Sequence, residues 1–408
     1  MKSSLAMALT QSPPDPSRLV LVETRPSFGL SLTAHERRGL ERHFDATITT
    51  GVEDTYTVRA GNVVGSVEIA GRAIVVQPKI NIDRVLFMTA YAADPHNWDE
   101  QWATIGAVDG ITDGVAALFV AAHRRAVSQG LLRSYRTVDQ DAMTVRGRIQ
   151  WARQLRRYRP IPLSLRFQIH DDDIVENQIL RSTVQVLRRQ QLRDKYLRGS
   201  VTRMWQQLRD LTPLTSPLAA LDQLVWTRRN AHYRPLLNLA RTILNGAMPD
   251  VSEGAVPVVG FTLHLFEVFE QFVRTAIRQA LGASPVEVPD DLNSHPLYLD
   301  AAHTVSLKPD LIYKVEGVWR WVGDVKYKRD SGSGQNPDLY QLLAYATATG
   351  INKAALIYAD GPTTPPIHSV QNTEIKLAVH HLDLDQTPTS VLRAVQHIAA
   401  SIEGARVA

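Results

Sequence analysis

The stretch from Val305 to Lys328 restricts the fold of this chain more than any other part of its 408 residues. Its alternation with a period of two predicts two strands joined at Glu316-Gly317, a pair that favours a tight turn. Antiparallel pairing of these strands would bring the carboxylate of Asp310, on the first strand, near Asp324 on the second. Side chains of the second strand alternate between two faces, with Val318, Arg320, Val322, Asp324, Lys326 and Lys328 on one, and Trp319, Trp321, Val325 and Tyr327 on the other, which we expect to be core.

Asp310, Asp324 and Lys326 form an arrangement that is costly without a counter-ion. A divalent cation would relieve the repulsion between the two carboxylates, and hard oxygen ligands suit Mg²⁺. The order Pro309-Asp310, followed fourteen positions later by Asp324-x-Lys326, resembles the signature of the PD-(D/E)xK nucleases. A bare Asp-x-Lys also arises by chance at a solvated strand end, so the flanking elements have to decide between the two interpretations.

A helix predicted from Leu263 to Leu281 precedes the hairpin, because apolar residues recur there at helical spacing. Its polar stripe consists of Glu267, Gln271, Arg274 and Arg278. Glu270 points instead toward apolar neighbours, where a carboxylate needs a partner. We expect it to present a third carboxylate to the hairpin. The alternative is a glutamate at the edge of the stripe that reaches water.

A second helix is predicted after the hairpin, from a capping Asn336 to Thr349, with Gly350 as its stop. Gln341 and Tyr345 lie at positions i and i+4 and therefore share one face of this helix. The pair resembles an additional motif of the RecB-like branch of the PD-(D/E)xK superfamily. Glu270, Pro309-Asp310 and Asp324-x-Lys326 precede this pair in the order that the superfamily has. The four elements together make the resemblance to the nucleases specific.

Further elements complete the C-terminal third, with strands predicted at Ala354–Tyr358 and Glu374–Leu382 and an amphipathic helix at Thr389–Ile402. The PD-(D/E)xK core has the order α-β-β-β-α-β, with three strands between its two helices. The predicted hairpin supplies only two of these strands. We expect the third strand either near Val286–Leu299 or merged with the hairpin.

Composition narrows the class of protein. With 44% hydrophobic residues, a chain of this length supports two or three domains and predicts a soluble globular protein. It contains no cysteine, which excludes thiolate metal sites, thiol nucleophiles and disulfides and suits a cytoplasmic protein. The net charge of +4 permits a nucleic-acid partner without requiring one. No segment approaches the length of a membrane span, and no G-x-x-x-x-G-K-[ST] loop marks an NTPase.

The N-terminal region is β-rich from Thr47 to Lys79 and contains a predicted hairpin that turns at Ala70-Gly71. Its sequence VVGSVEIAGRAIVVQPKI, with Val64-Gly65 and a closing Pro78-Lys79-Ile80, is similar to the N-terminal signature of the McrC family. This family supplies the nuclease subunits of McrBC-type modification-dependent restriction systems. The segment around Glu270 resembles the same family.

The middle region carries a run of arginines on a predicted helix, Arg153, Arg156, Arg157 and Arg159. They form either a solvated face or a set of phosphate contacts. A long basic helix is expected from Glu176 to Arg198, and its Asn177 is expected to be a buried polar anchor. Residues Met248–Pro257, rich in Pro, Gly, Ser and acid, mark the best domain boundary.

The resemblance implies a multidomain α+β fold with a β-rich N-terminal adaptor domain (1–95), a helical middle region (96–255) and a C-terminal α/β PD-(D/E)xK nuclease core (256–408). It implies an endonuclease that hydrolyses phosphodiester bonds of double-stranded DNA with Mg²⁺, for which Mn²⁺ can substitute, in a restriction system for antiviral defence. It also implies docking onto, and stimulation of, a McrB-like hexameric AAA+ GTPase. Because one site cuts one strand, double-strand cleavage would need dimerisation or the collision of two complexes.

In the expected mechanism, Asp310 and Asp324 hold Mg²⁺, Glu270 is a third ligand or binds through a water, and the backbone carbonyl of Val325 completes the shell. The cation would activate a water for in-line attack on the phosphate. Lys326 would orient that water or offset charge in the transition state. Gln341 and Tyr345 would position the phosphate or support the metal ligands.

Two other functions stay open. One is a non-cleaving scaffold that only activates the AAA+ partner, and the intact Asp310, Asp324 and Lys326 argue against it. The other is a stand-alone RecB-like repair nuclease. The β-rich N-terminal third argues against this second function, since such a nuclease needs no adaptor.

Overall fold

The computed structural model describes residues 17–98, 110–247, 259–290, 292, 294–330, 334–361 and 366–403, which form a mixed α+β structure with several sheets. The chain divides into two compact units. Unit 1 combines Met1–Val115 with Gly246–Ala408, and unit 2 is Ala116–Asn245. The three-domain division expected from the sequence groups the chain differently, and the expected boundary at Met248–Pro257 lies outside the described residues.

The N-terminal part of unit 1 is β-rich, as predicted. Thr33 begins its first helix in a capping box with Glu36, in which each side chain bonds the other's backbone N–H. The predicted hairpin turns at Ala70 and Gly71, which both have positive φ. The elements are β1 (Arg18–Val22), β2 (Pro26–Leu30), α1 (Ala34–Phe44), β3 (Thr47–Thr50), β4 (Tyr56–Arg59), β5 (Val63–Ile69), β6 (Arg72–Gln77), α2 (Ile82–Ala93) and the start of α3 (Ile111–Ala126).

Unit 2 is mainly helical and carries one antiparallel sheet of order β7-β9-β8. Its elements after α3 are β7 (Ser134–Ala142), β8 (Arg148–Ile149), α4 (Trp151–Gln154), β9 (Leu163–Asp171), α5 (Val175–Arg189), α6 (Lys195–Leu208), α7 (Pro217–Asp222), a 3₁₀ turn (Ala231–Tyr233) and α8 (Arg234–Gly246). The single long helix expected from residue 176 to 198 is wrong. The chain becomes extended at Gln190, and a new helix begins after Asp194, whose side chain accepts a hydrogen bond from the N–H of Tyr196.

Asn177 of α5 is the buried polar anchor that the sequence predicts. It is fully buried, and its side-chain amide donates to the carbonyl oxygens of Leu132 at 2.8 Å and Asp172 at 2.7 Å. The first turn of α5 is thereby tied to two loop segments of unit 2.

The C-terminal part of unit 1 is built on a five-stranded mixed sheet of order β13-β14-β15-β17-β16. Strands β14, β15 and β17 are parallel, and β13 and β16 are antiparallel to their neighbours. The elements are β10 (Val259–His264), α9 (Leu265–Ala280), β11 (Leu297–Tyr298), β12 (Ser306–Leu307), β13 (Leu311–Val315), β14 (Val318–Arg329), α10 (Asn336–Thr349), β15 (Lys353–Asp360), β16 (Ile367–Ser369), β17 (Lys376–His381) and α11 (Pro388–Glu403).

Strand β10 belongs to the N-terminal sheet, whose order is β1-β6-β5-β10. Gly65 of β5 makes this pairing feasible, because a Cβ at this position would overlap the carbonyl oxygen of Phe261. Its φ of +140° is also unfavourable for other residues. The chain passes directly from β10 into α9, so the N-terminal sheet and the helix that carries Glu270 are continuous.

The third strand expected before the second helix is not found in the central sheet among the described residues. The interval Val286–Leu299 contributes only the short β11, which pairs with β12 in a separate two-stranded sheet. The helices cover both faces of the central sheet. Helix α10 packs on one face of β14 and β15, while α9 packs on the other face of β14 and is covered by α11. None of the described helices is long and apolar enough to cross a membrane.

Candidate active site

The predicted hairpin is present and fixes the position of the two aspartates. Glu316 and Gly317 both have positive φ, 52° and 79°, as a two-residue hairpin turn requires. The register pairs Leu311 with Gly323, so Asp310 and Asp324 follow as neighbours on adjacent strands. The N–H of Val325 donates to Oδ2 of Asp310 at 2.9 Å. The aspartate before β13 is therefore clamped against β14.

A bulge changes one face of the hairpin from the predicted alternation. Tyr313 pairs with Trp321 and Lys314 with Trp319, so Arg320 is an extra residue on β14. Trp319 consequently packs with Val322, on the face covered by α10, whereas strict alternation assigns it to the opposite face.

The carboxylate of Asp324 is in an unfavourable environment for a charge. Its side chain is 1% exposed, and its Oδ2 forms an ion pair with Lys326 but accepts no well-oriented hydrogen bond. Burial raises the pKa of Asp324 to about 8, with the neighbouring charge of Asp310 adding to the shift and Lys326 opposing it. This carboxylate is suited to a cation that would replace its proton.

Lys326, Gln341 and Tyr345 form a continuous hydrogen-bonded chain. The Nζ of Lys326 donates to Oε1 of Gln341 at 3.1 Å, and Nε2 of Gln341 donates to the hydroxyl of Tyr345 at 2.7 Å. The buried Tyr345 hydroxyl in turn donates to the carbonyl oxygen of Lys308 at 2.9 Å. Helix α10 thus holds both the lysine of the Asp-x-Lys motif and the segment that leads into Asp310.

The chemistry of Lys326 follows from this setting. Burial alone lowers the pKa of its ammonium, but the carboxylates of Asp324 and Asp310 outweigh burial and raise it overall. Lys326 therefore stays charged and cannot act as a base at neutral pH. Burial, followed by the same two carboxylates, also raises the pKa of Tyr345, which remains a hydrogen-bond donor.

Glu270 lies at the same site, as the sequence predicts, with a partner that the sequence analysis missed. Arg274 forms an ion pair with it one helical turn later and also donates from Nη2 to the carbonyl oxygen of Asp310 at 2.9 Å. Burial raises the pKa of Glu270, Asp310 adds to the increase and Arg274 opposes it. The assignment of Arg274 to the polar stripe of α9 is wrong, since it is 6% exposed. Its i, i+4 spacing from Glu270 is the signal that could have identified it.

Helix α10 and its cap position both lie one residue earlier than predicted. Gln335 is the cap position and makes no side-chain cap bond, whereas Asn336 is the first helical residue. The helix ends at Thr349, and Gly350 has the left-handed conformation that stops it, as predicted.

The donor set can be compared with the needs of Mg²⁺. Within the described segments, no group of three or more His, Asp or Glu side chains converges closely enough to form a ready-made metal site. Asp310 and Asp324 nevertheless supply two adjacent carboxylates, one with a buried oxygen that is paired with Lys326 but accepts no well-oriented hydrogen bond. These two fit a hard cation. Glu270 fits as a third ligand if its carboxylate exchanges the ion pair with Arg274 for the cation. The carbonyl of Val325 stays a predicted ligand.

The arginines of unit 2 are divided between acid partners and solvent. Arg157 forms an ion pair with Asp141 at 2.5 Å, and Arg153 lies 3.9 Å from the same carboxylate. Arg156 and Arg159 are exposed, and the helix that was expected to carry all four ends at Gln154. Their contact with phosphate stays a prediction.

Comparisons with known proteins place this geometry in context. A family model described as "McrBC 5-methylcytosine restriction system component" matches residues 58–359. No curated protein matches the chain. A chain in the refined half-complex from the tetradecameric assembly of Thermococcus gammatolerans McrB AAA+ hexamers with bound McrC has a similar fold, with a TM-score of 0.54 and 13% identity. This match covers 94% of the present chain and 100% of the other. A chain in the cryo-EM structure of the Thermococcus gammatolerans McrBC complex matches over 65% of this chain and 88% of its own length, with 15% identity and a TM-score of 0.42.

Proposed function

The chain belongs to the family of McrBC 5-methylcytosine restriction system components, and from this premise we propose that it is the McrC-like, Mg²⁺-dependent endonuclease subunit of such a system. Its substrate is double-stranded DNA, in which it hydrolyses phosphodiester bonds. It acts in the cytoplasm, docked on a hexameric AAA+ GTPase that it stimulates.

The observation that carries this proposal is the convergence of Asp310, Asp324, Lys326 and Gln341 at one edge of the central sheet. These residues come from two strands and a helix, and they match the order and residue types of the PD-(D/E)xK signature. A solvated strand end would not bury Asp324 or hold Lys326 between a carboxylate and an amide oxygen. The arrangement therefore favours the catalytic interpretation of the motif.

Asp310 and Asp324 would hold the cation, with Glu270 and the carbonyl of Val325 completing its ligands. When bound, Mg²⁺ would supply Lewis-acid activation of the scissile phosphate and of the attacking water. Binding would also allow Asp324 to lose the proton that burial favours.

The ammonium of Lys326 would offset the negative charge that grows on the phosphate oxygens in the transition state. Gln341 would hold this ammonium in place, since its Oε1 accepts the Lys326 hydrogen bond. Tyr345 would support both groups, because its hydroxyl connects Gln341 to the backbone before Asp310. Removal of Lys326 should lower kcat by about 10²–10³-fold, the usual cost of losing one such stabilising group.

The partner proposal rests on the family and on the fold similarity to a chain of the Thermococcus gammatolerans assembly of McrB AAA+ hexamers with bound McrC. The proposed catalytic groups all belong to the C-terminal third of the chain. The N-terminal sheet and unit 2 are then available for docking. Cleavage of both strands would require two copies, by dimerisation or by collision of two complexes.

The decisive experiment compares the wild type with Asp324→Ala on modified and unmodified plasmid, with Mg²⁺ and with or without the AAA+ partner and nucleotide. Asp210→Ala is the matched control, because the Asp210 side chain is 90% exposed in unit 2. We expect partner-dependent cleavage by the wild type and the control, no cleavage by Asp324→Ala, and equal stimulation of the partner's NTPase by all three. Equal cleavage by the wild type without the partner would instead indicate a stand-alone nuclease.

One observation favours a second function, that of a non-cleaving activator of the AAA+ partner. Arg274 forms an ion pair with Glu270 and so occupies the carboxylate that would be the third metal ligand. If no variant or condition yields cleavage while the wild type and Asp324→Ala both stimulate the NTPase, the chain is a regulatory scaffold.

A further inference from the structure

The pairing of β14 with β15 is interrupted immediately after the catalytic lysine proposed above. Lys326 pairs with Tyr358, and the next pair in the ladder is Arg329 with Asp360. Two residues of β14, Tyr327 and Lys328, therefore lie opposite a single residue of β15. Such bulges redirect the side chains beside them and are frequent next to active sites. Because the ladder is broken here, other contacts must fix the backbone at this point.

On one face of the sheet, the bulge is held by the N-terminal region. The hydroxyl of Tyr327 donates to Oε1 of Glu23 at 2.9 Å, directly after strand β1. Glu23 is fully buried, and the same oxygen accepts a hydrogen bond from the N–H of Lys79 at 2.8 Å. The ammonium of Lys79 lies 4.4 Å from the centre of the Tyr327 ring. The buried Glu23 and Tyr327 and the exposed Lys79 thus form a compact polar cluster. Its members are provided by three separate strand ends.

On the other face, the bulge is held by helix α10. The ammonium of Lys328 forms an ion pair with Asp338 at 2.8 Å and donates to Oε1 of Gln335 at 2.9 Å. Asp338 also accepts a hydrogen bond from the hydroxyl of Tyr358, the residue opposite Lys326. The two bulge residues are thus anchored in opposite directions, which leaves little freedom for the residue before them.

The Tyr327 anchor also reaches the helix of the third carboxylate. The ring of Phe269, the residue before Glu270, lies 5.9 Å from the ring of Tyr327 between centroids. One buried tyrosine therefore adjoins Lys326 along the strand and contacts Phe269, the residue before Glu270, across the interior.

We infer that Glu23 and Tyr327 are a positioning pair, which fixes the bulge in β14 and thereby holds the ammonium of Lys326 against Asp324 and Gln341. Neither residue touches substrate. Glu23 lies far from the nuclease motif in the sequence, yet it determines how accurately the proposed catalytic lysine is placed. The catalytic consequence of the pair rests on the proposed nuclease function, whereas its structural consequence does not.

The test uses full-length protein with Tyr327→Phe, Glu23→Ala, Glu23→Gln and the double variant Glu23→Ala/Tyr327→Phe. Phenylalanine keeps the ring, and glutamine keeps an acceptor oxygen for the tyrosine hydroxyl. Tyr91→Phe is the matched control, since Tyr91 is also buried in unit 1. In the partner-dependent cleavage assay, Tyr327→Phe and Glu23→Ala should each lower kcat about 10- to 100-fold with little change in KM, the cost expected when a catalytic group is displaced.

The double variant should be no worse than the poorer single variant, because both remove one shared contact. Glu23→Gln should recover most of the lost kcat, and Tyr91→Phe should match the wild type. Additive losses in the double variant, or equal effects of Tyr327→Phe and Tyr91→Phe, would overturn the inference.

Hydrogen exchange separates this inference from the proposed function. Tyr327→Phe and Glu23→Ala should accelerate amide exchange in residues 325–328, and Tyr91→Phe should not. If the wild type does not cut DNA but the exchange result is as expected, the nuclease proposal fails and the positioning pair stands. Unchanged exchange at 325–328 would refute the pair regardless of any cleavage activity.

Discussion

Replacing Asp324 by asparagine should remove a pH-dependent instability that the wild-type protein carries. In the unfolded chain, Asp324 ionises near its ordinary pKa of 3.8, whereas burial, together with Asp310, raises its pKa to about 8 in the folded protein. Between these values, the folded protein retains a proton that the unfolded chain has released. Increasing the pH through this range therefore favours unfolding of the wild type.

The size of the effect follows from the shift of about four pKa units. At about 1.4 kcal/mol per unit, the free energy of unfolding of the wild type should fall by roughly 5 kcal/mol relative to Asp324→Asn between pH 4 and pH 8.5. The stabilisation that the wild type gains from protonated Asp324 is fully present below pH 4 and is lost by pH 8.5. It corresponds to a relative change in Tm on the order of 10 °C for a unit of this size.

The assay is thermal unfolding of both proteins at half-unit steps from pH 4 to pH 8.5 in the presence of EDTA, with Asp210→Asn as the control for an exposed carboxylate. A second series with Mg²⁺ at pH 8 should raise the Tm of the wild type more than that of Asp324→Asn, because the cation replaces the proton. Parallel pH profiles of the wild type and Asp324→Asn would refute the assignment of this instability to Asp324.

Three further substitutions test other parts of the structure, each by urea unfolding at pH 7. Arg274→Met should cost about 3–5 kcal/mol, because it leaves the carboxylate of Glu270 partly buried without its ion pair; a cost below 1 kcal/mol would show that the pair is solvated. Gly65→Ala should cost about 3 kcal/mol or more, through both its positive φ and its overlap with strand β10, or prevent soluble expression. Asn177→Ala should cost about 1–2 kcal/mol, because the carbonyl of Leu132 loses its donor whereas that of Asp172 keeps the N–H of Ile174, and Asn177→Asp should restore neither bond.

Local patterns predicted much of the C-terminal fold correctly. Alternation defined the hairpin, its turn and the pairing of Asp310 with Asp324, because these depend on neighbouring residues and on a turn with positive φ. Helical spacing placed Gln341 and Tyr345 on one face, where the structure joins them by a hydrogen bond.

The errors have identifiable physical causes. A bulge at Arg320 transfers Trp319 to the other face, and simple alternation cannot signal an inserted residue. Arg274 was assigned to solvent because an arginine on a helix stripe usually lies there, whereas here two acceptors on separate elements hold it in the interior. Glu23 could not be identified at all, since its partner Tyr327 is 304 positions away and no local pattern connects them.

The separation of Glu23 from Tyr327 also has a consequence for how the protein is made. At about 5–20 residues per second, the ribosome releases Tyr327 roughly 15–60 s after Glu23. Unit 2, residues Ala116–Asn245, has been synthesised in full well before that moment. Until β10 has been synthesised, the edge of β5 that pairs with β10 has no partner strand. A nascent or truncated chain therefore lacks both the carboxylate cluster and the anchor of its lysine, so the proposed DNA-cutting site is assembled only when nearly the whole protein has been synthesised.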